Sequence, residues 1–211
     1  MSSYSPLVIY KVLKEDWLYR GYMACMFVMG VGNLMVQPIL AIVLEEQFQV
    51  SYITGIAIAT VIPLLAMTLC IPFWGRLLER SHVIDFRTLH VWVFAFVAIL
   101  DMIGMWSDQI AFFYLAAVVQ GIGWGGGVLA WNLGHQHFAP RDRDAEYMGV
   151  HITLTGIRGF IGPMLAVQLY MWLLPRGWQV GSFGVCLLAN LLGGIGFLWL
   201  AKQRQRIMAS E

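Results

Sequence analysis

The sequence predicts an all-α, polytopic membrane protein of six transmembrane helices, arranged as two inverted three-helix repeats. Three observations carry this. The chain of 211 residues is 59% hydrophobic and only 12% charged, against about 45–50% apolar and about 25% charged in soluble domains. Its mean hydropathy is +0.70. Six apolar stretches each reach the roughly 20 residues that a helix needs to cross about 30 Å of hydrocarbon. A net charge of +1 excludes a nucleic-acid binder, which needs dense positive charge. The three cysteines, Cys25, Cys70 and Cys186, lie inside apolar runs and read as packing residues rather than a disulfide framework.

The first sixteen residues mix Lys11, Lys14, Glu15 and Asp16 with apolar residues. They lack the apolar core and small-residue cleavage site of a signal peptide. Residues 1–19 are read as an interfacial amino-terminal segment, with the remnant of a linker as the alternative. The six helices follow at about 20–44, 51–73, 88–106, 109–134, 147–174 and 179–201, forming one transmembrane domain over 20–201, and 202–211 is a tail. Charge or turn residues mark each break: Glu45-Glu46-Gln47, Arg76 to Arg87, Ser107-Asp108-Gln109, Pro140 to Glu146, and Pro175-Arg176-Gly177. No ten-residue alternation of a β-barrel is present, so the spans are helical.

Orientation follows from basic residues. Lys11, Lys14, Arg20, Arg76, Arg80, Arg87, Arg141, Arg143, Lys202, Arg204 and Arg206 fall on one side, eleven of the thirteen. The opposite loops hold Arg176 with Glu45, Glu46 and Asp108. The positive-inside rule places both termini in the cytoplasm of a cell (inner) membrane. Trp17, Tyr19, Trp106 and Trp178 lie near span ends, as an aromatic belt requires. Gly30-Val-Gly32 in helix 1 recurs as Gly121-Ile-Gly123 in helix 4, and Gly55 opening helix 2 recurs as Gly149 opening helix 5. Inverted repeats of three helices build many secondary transporters.

The loop after helix 2 reads Trp74-Gly75-Arg76-Leu77-Leu78-Glu79-Arg80. It resembles the motif between helices 2 and 3 of the major facilitator superfamily (MFS): Gly, then Leu, then an acid followed by Arg. Gly75 would permit close helix approach, Glu79 would pair with an Arg or cap a neighbouring helix, and Arg80 supplies positive-inside charge. The match departs after Arg80: His82 stands where the family has Gly, and Val83-Ile84 where it has a basic pair, with Arg87 the nearest substitute. Asn33 to Pro38 with Val50-Ser51 is similar to the opening of a facilitator half. Asp144 to Gly149, leading to Gly159 and Gly162-Pro163, resembles the start of its fifth or eleventh helix. The resemblance spans about residues 17–201 and covers half of the family's twelve helices.

Buried charge in lipid is costly and usually functional. Arg158 lies eleven residues beyond Tyr147, roughly 16 Å deep. His151, Thr155, Arg158 and Gly162 fall within about 60° on one helical face. Arg158 is read as an anion contact or part of a proton-linked site, or else as a structural Arg paired with a carbonyl or an acid. The resemblance implies that helices 1, 2, 4 and 5 line a central cavity, where Asn33, Gln37, Gln120, Trp124 and Arg158 would converge. The alternative is that the amides are interhelical glue. Asp101, the acid within helix 3, and His151 are the proton-coupling candidates. Asp101 lies five residues before Trp106, so the rival reading is a helix-end carboxylate near the interface.

His135 and His137 with Asp142 and Asp144 offer metal-ligand types, but their spacing crosses Pro140, and no metal or cofactor is expected. Gly121 to Gly127 superficially resembles a nucleotide loop, yet no strand precedes it. No nucleophile elbow, phosphate loop or zinc-protease motif is present, so an enzyme is not expected. The resemblance implies a half-size transporter domain that moves a small solute by alternating access, an anion if Arg158 is its contact. It would pair with a second six-helix domain, a copy or a separate chain, in the bilayer. The alternative is a non-transporting accessory or assembly subunit of a larger membrane complex.

Overall fold

A computed structural model describes residues 6–209. A short helix α1 (Pro6–Glu15) precedes six spans. The first is α2 (Trp17–Glu46). The second joins α3 (Tyr52–Ile56), a π-helical turn (Ala57–Val61) and α4 (Ile62–Glu79). The third, fourth, fifth and sixth are α5 (Val83–Ser107), α6 (Ala111–Leu133), α7 (Asp144–Leu173) and α8 (Gly181–Met208). All six are long and apolar enough to cross a membrane. Helices satisfy every backbone group within the segment, which hydrocarbon demands.

Local chemistry sets the boundaries. Asp16 separates α1 from α2, and its Oδ1 accepts from the Tyr19 N–H at 2.8 Å. Ser51 Oγ caps α3 by accepting from Thr54 N–H at 3.2 Å. His82 Nδ1 accepts from Ile84 N–H at 3.2 Å, so α5 starts at Val83, ahead of the 88 that charge alone indicates. Asp108 ends α5 in the left-handed region at φ 53°, and Gly177 at φ +68° turns the chain into the sixth span. The π turn lies just before Pro63, which has no N–H for the carbonyl one turn earlier. Widening the helix there is how such a misfit is absorbed.

The packing is two-fold. The first span packs on the fifth as the fourth packs on the second. The first packs on the sixth as the fourth packs on the third, and the third and sixth pack on each other. Exchanging spans one to three with four to six leaves this pattern unchanged. Because each unit has an odd number of spans, the two units run in opposite directions.

The glycine pairs noted in the sequence occupy equivalent places. A Cβ at Gly30 would overlap Arg158 of the fifth span, and one at Gly121 would overlap the Pro63 carbonyl of the second. At Gly32 it would meet Ala189 of the sixth span at 2.6 Å, and at Gly123 Phe94 of the third at 2.8 Å. Small residues thus set how closely four helix pairs approach.

Among the described residues, α1 and the carboxy-terminal end of α8 lie at one end of the bundle. There Arg143 pairs with Glu15 at 3.0 Å and Glu146 at 2.7 Å, and Arg204 pairs with Asp85 at 2.7 Å. Tyr19 Oη donates to the Tyr147 carbonyl at 2.7 Å. At the opposite end Gln47 donates to the Met105 carbonyl at 3.2 Å.

Two sequence expectations are corrected here. Arg87 is not a loop cation: it lies within α5 and is 1% exposed, because its guanidinium bonds His90 on the next turn. Ten basic residues, not eleven, therefore lie outside the spans' interior on the termini side. Gly75 marks no tight approach, since an added Cβ would meet only Leu129 at 3.9 Å. The close contact nearby is made by Trp74, whose Nε1 donates to the Ile122 carbonyl at 2.7 Å. Glu79 and Arg80 are exposed and enter no ion pair among the described residues.

Candidate functional site

A cavity of about 410 Å³ opens among the first five spans. Met26, Met29, Gly30, Asn33 and Leu34 form the wall on the first span; the fourth contributes Trp124, Gly127, Val128, Trp131 and Asn132. Thr155, Arg158 and Gly159 come from the fifth, Arg87 and Phe94 from the third, and Met67 from the second. No acidic side chain is among these lining residues.

Arg158 is held from one side. Its Nη1 donates to the Met26 carbonyl at 2.6 Å, and its Nε is buried without a partner. Gly30 leaves the space that the guanidinium occupies. A guanidinium has five N–H donors in a planar fork, so most of its donor capacity is left for something in the cavity.

Arg87 is held differently. Its Nη1 lies 2.9 Å from His90 Nδ1, and His90 Nε2 lies 2.7 Å from the Gly123 carbonyl. A carbonyl only accepts, so Nε2 carries the imidazole proton and Nδ1 accepts from Arg87. The ring is wedged between Phe86, Phe94 and Trp74. Arg87 and His90 form the part of the site that sequence reading missed. The signal was present: an Arg and a His three apart, one turn along a helix, with apolar residues to follow.

The expected convergence is only partial. Asn33, Trp124, Thr155 and Arg158 reach this cavity. Trp131 joins Thr155, its Nε1 donating to Thr155 Oγ1 at 3.4 Å. Gln37 and Gln120 do not reach it; they line a separate space of about 10 Å³ together with Asp101. Gln37 lies four residues beyond Asn33 and Gln120 four before Trp124, each on the same helical face as its neighbour, so position along the helix and not facing separates the amides from the central cavity.

His151 is 1% exposed, lies edge-on to Trp131 at 5.4 Å, and has no hydrogen-bond partner on either ring nitrogen. It sits behind the wall rather than on it. Asp101 is 1% exposed, enclosed within the bundle. At the loop end, His135 Nε2 lies 3.1 Å from Asp144 Oδ1, and no group of three metal-ligating side chains comes together among the described residues.

The arrangement is a largely apolar pocket, walled by aromatic residues and methionines, with two guanidinium groups among its lining residues. No curated protein and no solved structure gives a match. The Major Facilitator Superfamily matches residues 22–209, nearly the whole chain, and with the six spans described above the chain belongs to that superfamily of transporters.

Proposed function

We propose that this six-helix domain carries a small organic anion through the membrane, pairing with a second six-helix domain to complete an alternating-access transporter. The observation that carries the reading is the presence of Arg158, and of Arg87 from another span, among the residues lining one cavity with no acidic lining residue to neutralise them. Guanidinium groups recognise carboxylate and phosphate through paired N–H donors, and do so more strongly out of water. Trp124, Trp131, Phe94 and the three methionines suit an apolar body on the same solute. The volume is within the range of small-molecule sites, about 300–1,000 Å³.

Pairing is supported by the flanks of the cavity. The second and fifth spans are the least buried of the six, at 11% and 28% of their apolar windows. They do not pack on each other, and a Cβ at Gly156 or Gly159 of the fifth would meet nothing. A second domain, a copy or a separate chain, would close the cavity from that side. The basic residues of the termini end favour that end in the cytoplasm of a cell (inner) membrane.

The test is uptake of a panel of small carboxylates and phosphate esters by proteoliposomes holding the purified chain with whatever partner native mass spectrometry finds. Arg158→Ala should lower uptake of the best solute at least tenfold while the helical circular dichroism is retained. Full uptake by that variant would sink the reading. So would a stable larger assembly with one copy of the chain and no anion flux, which is the result expected of an accessory subunit.

A further inference from the structure

Behind the central cavity lies a second, much smaller compartment that the anion reading does not use. Its wall includes Asp101 of α5, Gln120 of α6, Gln37 of α2, and Ile58 and Pro63 of the second span. At about 10 Å³ it has room for about one water molecule and no more. Both carboxyl oxygens of Asp101 and the Oε1 of Gln120 are buried there without a hydrogen-bond partner. None of these three acceptors has a donor within hydrogen-bond distance among the described residues.

The charge balance is equally one-sided. No Lys, Arg or His among the described residues pairs with Asp101, and the titratable group facing it is the Cys186 thiol of α8. The α2 and α6 helices present only the amides of Gln37 and Gln120, and the second span presents the turn around Pro63. An ionised carboxylate sealed from water with no cation is strongly disfavoured. A carboxylic acid removes that cost, and its O–H is the donor that Gln120 Oε1 lacks.

We infer that Asp101 carries a proton as a neutral acid in this compartment, donating to Gln120, and that this compartment is the proton site of a coupled transporter. One hydrogen bond links this compartment to the anion site. Gln120 Nε2 donates to Asn33 Oδ1 at 3.2 Å, and Asn33 lines the central cavity. Losing the proton from Asp101 would turn Gln120 Oε1 away from the carboxylate and disturb the amide contact that aims Asn33. Only a proton moves: Asp101 carboxylate plus one proton gives the acid, and the reverse releases it.

The coupling part of this inference rests on the proposed anion transport; the proton site itself does not. The test is therefore infrared spectroscopy of the purified chain in lipid nanodiscs at neutral pH, in H2O and D2O. A hydrogen-bonded carboxylic acid C=O band is expected that shifts in D2O and disappears in Asp101→Asn. In Gln120→Leu, which removes the acceptor, the band should move to higher frequency, so the assignment survives if one variant does not fold. Absence of the band, or its persistence in Asp101→Asn, would overturn the proton site. Stabilisation by sodium chloride over choline chloride that is lost in Asp101→Asn would overturn it too, in favour of a sodium site. For coupling, Asp101→Asn should keep solute exchange across proteoliposomes but lose at least tenfold of the accumulation driven by a pH gradient. A pH-driven accumulation unchanged in that variant would overturn the coupling, whereas no anion flux in any variant would count against the anion reading alone.

Discussion

Gln120 on the fourth span donates to Asn33 on the first at 3.2 Å, and this one amide contact joins two otherwise separate cavities. The two residues belong to equivalent helices of the two inverted units, so the bond lies close to the pseudo-two-fold relation between them. Asn33→Ala and Gln120→Ala combined in a double-mutant cycle should show a coupling of about 0.5–1.5 kcal/mol, as interhelical hydrogen bonds in membranes do. Thermal unfolding in detergent is the measurement.

The two arginines should respond differently to substitution. Arg158 has one backbone acceptor and faces the cavity. Arg158→Lys keeps the charge but not the fork, so it should leave uptake weakened by roughly tenfold, with little change in melting temperature. Arg87 is buried against His90. Arg87→Met would strand the His90 Nδ1 acceptor and cost about 1–3 kcal/mol of stability, read as a lowered melting temperature.

Gly30 and Gly121 are equivalent by the repeat, yet they face different atoms. A Cβ at Gly30 would displace a side chain, that of Arg158, whereas one at Gly121 would collide with the Pro63 backbone. Gly30→Ala should therefore cut solute binding while the fold holds. Gly121→Ala should destabilise by about 1–3 kcal/mol through overpacking. Parallel uptake and thermal-shift measurements separate the two.

Trp74 is 3% exposed and bonds the Ile122 carbonyl across the second and fourth spans. Trp74→Phe keeps most of the ring packing against Phe86 and His90 and removes that bond. A loss of about 1 kcal/mol is expected, checked by thermal unfolding.

His82 supplies a pH dependence. Burial, the nearby Arg204 guanidinium and His137 push its pKa down to about 4, with Asp85 opposing weakly. The unfolded chain titrates near 6.5, so between those values it binds more protons than the folded one. The stability from this group is full above about pH 6.5 and is lost as pH falls through about 4. Asn keeps a side-chain oxygen for the Ile84 N–H cap. His82→Asn should therefore show a smaller fall in melting temperature on acidification across that window.

Which parts of this were legible in the chain follows from what each depends on. Hydrophobic length and short motifs are one-dimensional quantities, so the six spans and the superfamily were readable. The repeat of Gly30–Gly32 at Gly121–Gly123 was readable because close helix approach admits only small residues. The cavity a polar residue lines was not. Gln37 follows Asn33 by a single turn, yet it lies in a different cavity, since position along the helix decides which neighbours it meets. Arg87 looked like a loop cation because charge near a span end normally is one; only the His90 acceptor, fixed in turn by the Gly123 carbonyl of another span, makes its burial tolerable. Asp101 looked close to an interface by counting residues. Its enclosure comes from α2, α6 and α8 packing around it. The sequence by itself determined the membrane class, the number of spans and the superfamily. Tertiary structure alone decided which polar groups share a space, because in an apolar bundle each must find its partner across helices.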